Sequence, residues 1–169
     1  LDRRGIERNE ITLHVGAGTF KPVKSEEIAD HEMHAEWIAV GRRSIERLLA
    51  HGAACTAVGT TSVRTLESLY YIGVQLRRQP HAPEEAFHVP QWMPYDYAAA
   101  EAHPLTSEQA LTEILEWMER SRADTLHAST RILIAPGYTF HLVRRMVTNF
   151  HQPHSTLLLL VSAFVHGDW

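Results

Sequence analysis

The chain has 169 residues, 44% hydrophobic and 21% charged, with 16 Lys and Arg against 20 Asp and Glu and a formal net charge of −4. That is the make-up of an ordinary globular domain, and it excludes a protein that grips nucleic acid by bulk positive charge. The longest apolar run, Leu157 to Val161 carried on to Val165, is too short to cross a bilayer, and the lone Cys55 excludes a disulfide framework.

Taken in chain order, residues 10–15 alternate, with Ile11, Leu13 and Val15 on one face, which predicts a strand. Gly16, Ala17 and Gly18 break it, and a polar loop with a proline follows. Residues 33–40 read as a second strand with Trp37 and Ile38 partly buried. Ile45, Leu48 and Leu49 lie at helical spacing in residues 42–51, and Gly52 stops that helix. Residues 53–58 form a short buried strand, 59–62 a turn, and 63–76 a helix with Val63, Leu66, Leu69 and Tyr70 on one side. Residues 79–104, rich in Pro, Ala and His, are expected to be an irregular excursion. Ser107 opens a helix with Leu111, Ile114, Leu115 and Met118 as its apolar stripe. Residues 131–135 and 140–150 read as strands, and Ser155 or Thr156 caps a last apolar helix. Strands alternating with helices imply one α/β domain over residues 1–169, with a mixed, partly parallel sheet flanked by helices. The opening LDRRGIERNE is charged rather than a signal peptide, and the abrupt ends suit a fragment of a larger protein; a cytoplasmic location and a monomer are expected.

Four places carry candidate chemistry. In HVGAGTF (residues 14–20), His14, Gly16, Gly18 and Thr19 form a glycine-rich turn that lets a ligand approach the backbone. In AVGTTSVRTLES (residues 57–68), Gly59, Thr60, Thr61 and Ser62 join a strand to a helix start, a ready anion cradle. Arg64 and Glu67 lie three apart on that helix, spaced to pair with each other or to hold a carboxylate and a hydroxyl. The third place is His31, Glu32, His34 and Glu36. The fourth is the polar knot of Asn149, His151, His154 and Ser155 that runs into Thr156 and the last helix. Two His-x-x-His pairs raise the question of a metal, but Pro153 interrupts one and no cysteine sits at ligand spacing, so no metal is expected. His34, Glu36 and His151 are the acid–base candidates, since His titrates near neutral pH. His81, His88, His103 and His127 read as loop or surface residues. The four Arg pairs, Arg3-Arg4, Arg42-Arg43, Arg77-Arg78 and Arg144-Arg145, are spaced to hold a folded RNA or to sit on solvated helix faces. Trp92, Tyr95 and Tyr97 read as an aromatic lid on the core in preference to a stacking surface for unpaired RNA bases.

HVGAGTF, DHEMHAE, VGTTSVRTLES, PGYTFHLV and TNFHQPHSTLLLLVSAF, in that order, resemble the S-adenosylmethionine:tRNA ribosyltransferase-isomerase family of the queuosine pathway. The resemblance covers most of the chain outside residues 79–124. It implies transfer and isomerisation of the ribosyl part of S-adenosylmethionine onto a 7-aminomethyl-7-deazaguanine at the tRNA wobble position, giving epoxyqueuosine, adenine and methionine. S-adenosylmethionine is then a consumed donor, with no recycled cofactor, and the tRNA is the partner. The resemblance also implies an inserted β-barrel domain that is absent from this chain. Gly16, Gly18, Thr60, Thr61 and Arg64 would surround the methionine and ribose, and His34, Glu36 and His151 the transferring carbon. The alternatives are a methyltransferase using the same donor, and a truncated α/β domain with residual donor binding. All of this leans on two helix starts, after Gly59 and after Pro153, converging on one pocket.

Overall fold

The structure, a computed structural model, describes residues 1–14, 31–151 and 155–167. Its organising element is helix α2 (Thr60–Arg78), of which thirteen residues are buried, on every side of the helix. A helix covered all round sits inside a fold rather than on it. The spacing of Val63, Leu66, Leu69 and Tyr70 points to a single apolar stripe; the structure corrects this, because Arg64, Thr65, Glu67 and Ser68 are buried too. The helix also begins at Thr60, so the expected turn at 59–62 is its first turn. Gly59, at φ +91°, makes the bend and donates its N–H to the Val147 carbonyl.

One sheet has four strands in the order β1-β2-β5-β4. Here β1 is Thr12–His14, β2 is Glu36–Gly41, β4 is His88–Val89 and β5 is Thr125–Thr130. β1 pairs antiparallel with β2 and β2 with β5, whereas β4 runs parallel to β5. A separate parallel ribbon joins β3 (Cys55–Val58) to β6 (Val143–Val147), with Val58 and Val147 exposed at its end. The fold is therefore α/β with a mixed, partly parallel arrangement, as the alternation of elements implies. Helix α1 (Arg42–Ala50) follows β2 directly, and α4 (Ser107–Ser121) packs along α2. Thr106 caps α4 in a capping box: its hydroxyl accepts from the Gln109 N–H, and the Gln109 side chain accepts from the Thr106 N–H.

Several boundaries differ from the sequence expectation. The third strand on the main sheet is Thr125–Thr130, not residues 131–135. Those residues belong to no assigned strand, although the Arg131 and Leu133 N–H groups still donate to the Val89 and Gln91 carbonyls; residues 132–135 are buried, so the apolar run there has a strand's pattern. Trp37 is 64% exposed while Ile38 beside it is buried, since strand neighbours face opposite sides. The excursion is not irregular throughout: it holds a 3-10 turn (Glu84–Ala86), β4 and α3 (Met93–Ala100). Tyr97 is buried, and Tyr95 and Trp92 are half-buried around Tyr138 and Tyr70, a lid over the core. His88 is half-buried against Ser129, 2.8 Å from its hydroxyl, whereas His81, His103 and His127 are exposed.

The α2–α4 crossing depends on Gly73. A Cβ there would stand 2.3 Å from the Ala110 carbonyl oxygen and 2.6 Å from its carbon, both backbone atoms that cannot swing away. Gly73→Ala gains about 1 kcal/mol of helix propensity and still destabilises the protein by about 1–3 kcal/mol, because the helices must separate. A lower thermal midpoint is the expected result; an unchanged or higher one would show the helices free to slide.

Candidate functional site

The two buried charges of α2 do not pair with each other. Glu67 accepts from the Tyr138 hydroxyl (2.8 Å) and the His141 N–H (2.9 Å) on one oxygen, and from the Leu142 and Val143 N–H groups (2.9 and 2.8 Å) on the other. This corrects the reading of Glu67 as a ligand-binding residue: its acceptors are filled by the chain entering β6. Burial pushes its carboxyl up, and the four donors oppose that shift.

Arg64 points the other way. Its Nη1 donates to the Glu36 carboxylate, and its Nε donates to the Ile132 carbonyl at 3.3 Å. Arg64 is 3% exposed and Glu36 1%. Burial pushes the guanidinium down, and the Glu36 carboxylate opposes it. The remaining nitrogen, Nη2, is buried with no hydrogen-bond partner among the described residues.

Arg64 and Glu36 line a cleft of about 470 Å³, a figure that counts the open solvent at its mouth. His31 and His34 join them from the stretch before β2, and Ile132, Leu133 and Ile134 form an apolar wall. The far side is the start of α5 (Thr156–Val165), through Thr156, Leu157 and Leu160. Ser155 caps α5, its hydroxyl accepting from the Leu158 N–H at 3.2 Å. The Thr156 and Leu157 amides precede the first intrahelical bonds, so the positive end of α5 faces this cleft. Burial, and then the neighbouring His34, holds His31 below the usual imidazole range. The cleft thus offers a guanidinium, a helix start and two imidazoles beside an apolar wall. That set suits an elongated ligand with an anionic end and a reaction needing proton transfer.

Of the residues singled out from the sequence, His31, His34, Glu36, Arg64 and Thr156 meet here. The other described ones do not line it. His14 is exposed on β1 opposite Trp37. Gly59, Thr60, Thr61 and Ser62 form the first turn of α2 without lining the cleft, and the Ser62 hydroxyl donates to the Val58 carbonyl. Hence α2 contributes through Arg64, one turn in, and only α5 brings its actual start. Asn149 is exposed, and His151 is half-buried with Nε2 2.8 Å from the Thr148 hydroxyl. Gly16, Gly18, Thr19, Pro153 and His154 lie outside the described residues. Among the described residues no three His, Cys, Asp or Glu side chains gather as a metal site, and no helix is long and apolar enough to cross a membrane. Burial and Glu67, opposed by Arg144, push the Cys55 thiol up to about 11, which leaves it a poor nucleophile.

Fold and cleft together define an α/β domain with a buried ion pair lining its cleft. The whole chain, residues 1–169, matches the family described as Queuosine biosynthesis protein, and the chain belongs to that family. It is 40% identical over 167 residues to the S-adenosylmethionine:tRNA ribosyltransferase-isomerase of Paraburkholderia phymatum, covering 97% of this chain and 35% of that protein. It is 39% identical, with the same coverage, to the protein of that name from Burkholderia cenocepacia. A solved structure of S-adenosylmethionine tRNA ribosyltransferase from Thermotoga maritima is 26% identical, covering 96% of this chain and 36% of that one, with a TM-score of 0.48. The chain therefore spans about a third of the length of the curated relatives it matches. Those names speak for ribosyl transfer, and the methyltransferase alternative is not favoured.

Two outcomes follow from the polar interior. Glu67→Gln turns one acceptor oxygen into a donor facing two donors, and costs about 2 kcal/mol or more, read as a lower urea midpoint. His141 stacks on Tyr70 at 3.5 Å, and burial with the nearby Arg144 lowers its pKa to about 4. Above pH 6.5 it is neutral whether folded or unfolded. As pH falls from 6.5 towards about 4, only the unfolded chain takes the proton, so stability declines by up to about 1.4 kcal/mol per pH unit from this group. His141→Phe is expected to flatten the stability–pH curve across that window by one proton; an unaltered slope would mean that His141 is protonated in the folded state.

Proposed function

We propose that this chain carries the donor-binding cleft of an S-adenosylmethionine:tRNA ribosyltransferase-isomerase. In this reading S-adenosylmethionine is the consumed ribosyl donor and a tRNA bearing 7-aminomethyl-7-deazaguanine at the wobble position is the acceptor. Epoxyqueuosine in tRNA, adenine and methionine are the products. The observation that carries the proposal is the buried Arg64–Glu36 pair beside the start of α5, in a chain 40% identical to a protein of that name.

The methionine carboxylate is the anionic end of the donor. Arg64 Nη2 and the Thr156 and Leu157 amides are the donors suited to it, and Glu36 holds the guanidinium in orientation. The apolar wall of Ile132, Leu133 and Ile134 suits the methylenes of the methionine part, and it strengthens polar contacts by excluding water. Ribosyl transfer requires a proton removed from carbon beside the sulfonium and a proton delivered to adenine as it leaves. His34, with His31 next to it, is the group placed to exchange protons at this cleft. His151 does not line the cleft among the described residues, and no proton is assigned to it here.

Arg64→Lys tests the assignment without stranding Glu36, because lysine keeps the positive charge while losing the fork. Calorimetric titration of S-adenosylmethionine into the chain is expected to show binding that weakens about tenfold or more in the variant, the cost of one charge-assisted hydrogen bond. Equal affinity in parent and variant would remove Arg64 from the site, and absence of binding to the parent would remove the donor reading of the cleft.

A further inference from the structure

The stretch that bears the cleft histidines has no strand beside it among the described residues, yet its main chain is held at three points. Gln91 lies in the excursion, just after β4. Its Oε1 accepts from the Met33 N–H at 2.9 Å, and its Nε2 donates to the His31 carbonyl at 2.6 Å. One side-chain amide thereby makes the pair of bonds that a neighbouring strand would supply. Arg131, just after β5, donates through Nε to the Met33 carbonyl at 2.8 Å and through Nη2 to the Glu32 carboxylate at 2.5 Å.

The two clamps are themselves joined. The Arg131 N–H donates to the Val89 carbonyl at 2.9 Å, and the Leu133 N–H donates to the Gln91 carbonyl at 3.3 Å. Leu133 belongs to the apolar wall of the cleft, so wall and histidine stretch hang from one laddered piece of chain. Nothing in the stretch 31–35 builds regular structure of its own, and an unladdered backbone keeps its conformational freedom unless something outside removes it.

We propose that Gln91 and Arg131 are positioning residues of the cleft, fixing the backbone of residues 31–33 so that His31 and His34 stand at its mouth. The inference rests on the donor-site reading of the cleft and adds the device that sets its geometry. His31 also has Glu32, His34, Glu36, Arg64 and Arg131 in its surroundings on the same cleft or clamp. Burial, and then His34, holds its pKa below the usual imidazole range, so its midpoint reports on where the side chain stands.

The test uses the chain with labelled histidine, followed by NMR through a pH titration, beside calorimetry with S-adenosylmethionine. Gln91→Leu keeps the bulk and removes both bonds; Arg131→Lys keeps the charge and one donor. His127, exposed on β5 and bonded to Glu84, is the control for an intact sheet. In Gln91→Leu the His31 midpoint is expected to rise towards the ordinary imidazole value while His127 is unmoved, with donor affinity down about tenfold or more. Arg131→Lys is expected to give a smaller rise, and it decides the matter should Gln91→Leu disturb His127. A His31 midpoint unchanged from the parent in the variant that preserves His127 would overturn the proposal. Should the parent bind no donor, the functional reading falls, and the His31 midpoint still decides the positioning role.

Discussion

A guanidinium and a carboxylate out of reach of water govern this structure. Arg64 and Glu36 are each almost wholly buried, and each would be costly alone, by several kcal/mol for an unpaired interior charge. Together they tie α2 to the first residue of β2, and the second bond of Arg64 reaches the Ile132 carbonyl after β5. Three pieces of chain far apart in sequence thus share one planar group. The cleft lies where they meet, so the contact that holds the interior together is also the polar floor of the site. Neither partner is replaceable by an apolar residue without stranding the other.

Glu67 performs the complementary task one turn further along. Where Arg64 fastens the histidine side of the molecule, Glu67 gathers the amides of residues 141–143 and the Tyr138 hydroxyl, fixing the entry to β6. The same helix can lie this deep because Gly73 lets α4 approach backbone to backbone. A helix with its charges spent on neighbouring elements and its one glycine at the crossing is a scaffold on which the cleft is hung.

Much of this was readable in the residues. Alternation around Leu13, the helical spacing of Ile45, Leu48 and Leu49, and the apolar stripe of Leu111, Ile114 and Met118 report local periodicity, and the elements stand where periodicity puts them, within a few residues. His34, Glu36, Arg64 and Thr156 were legible as polar groups near element ends, and the three motifs that carry them lie in the family's order. What failed was non-local. Arg64 and Glu67 stand three apart, which speaks for a mutual pair or a shared ligand; only the tertiary fold shows them reaching for opposite partners. The apolar residues 131–135 carry a strand's pattern, yet their bonds to Val89 and Gln91 only prolong the β4–β5 pairing past its end. Gln91 gives no signal at all: a glutamine between Pro90 and Trp92 belongs to no period, and its meaning comes from a backbone sixty residues away.

The ribbon of β3 and β6 is costly to close. Its two strands are parallel and have about half of the chain between them, with α2, α3, α4, β4 and β5 in the interval. Closing so long a loop gains nothing until its ends meet, and a two-stranded ribbon has little stability of its own. The ribbon therefore depends on the elements in that interval to bring its two strands together.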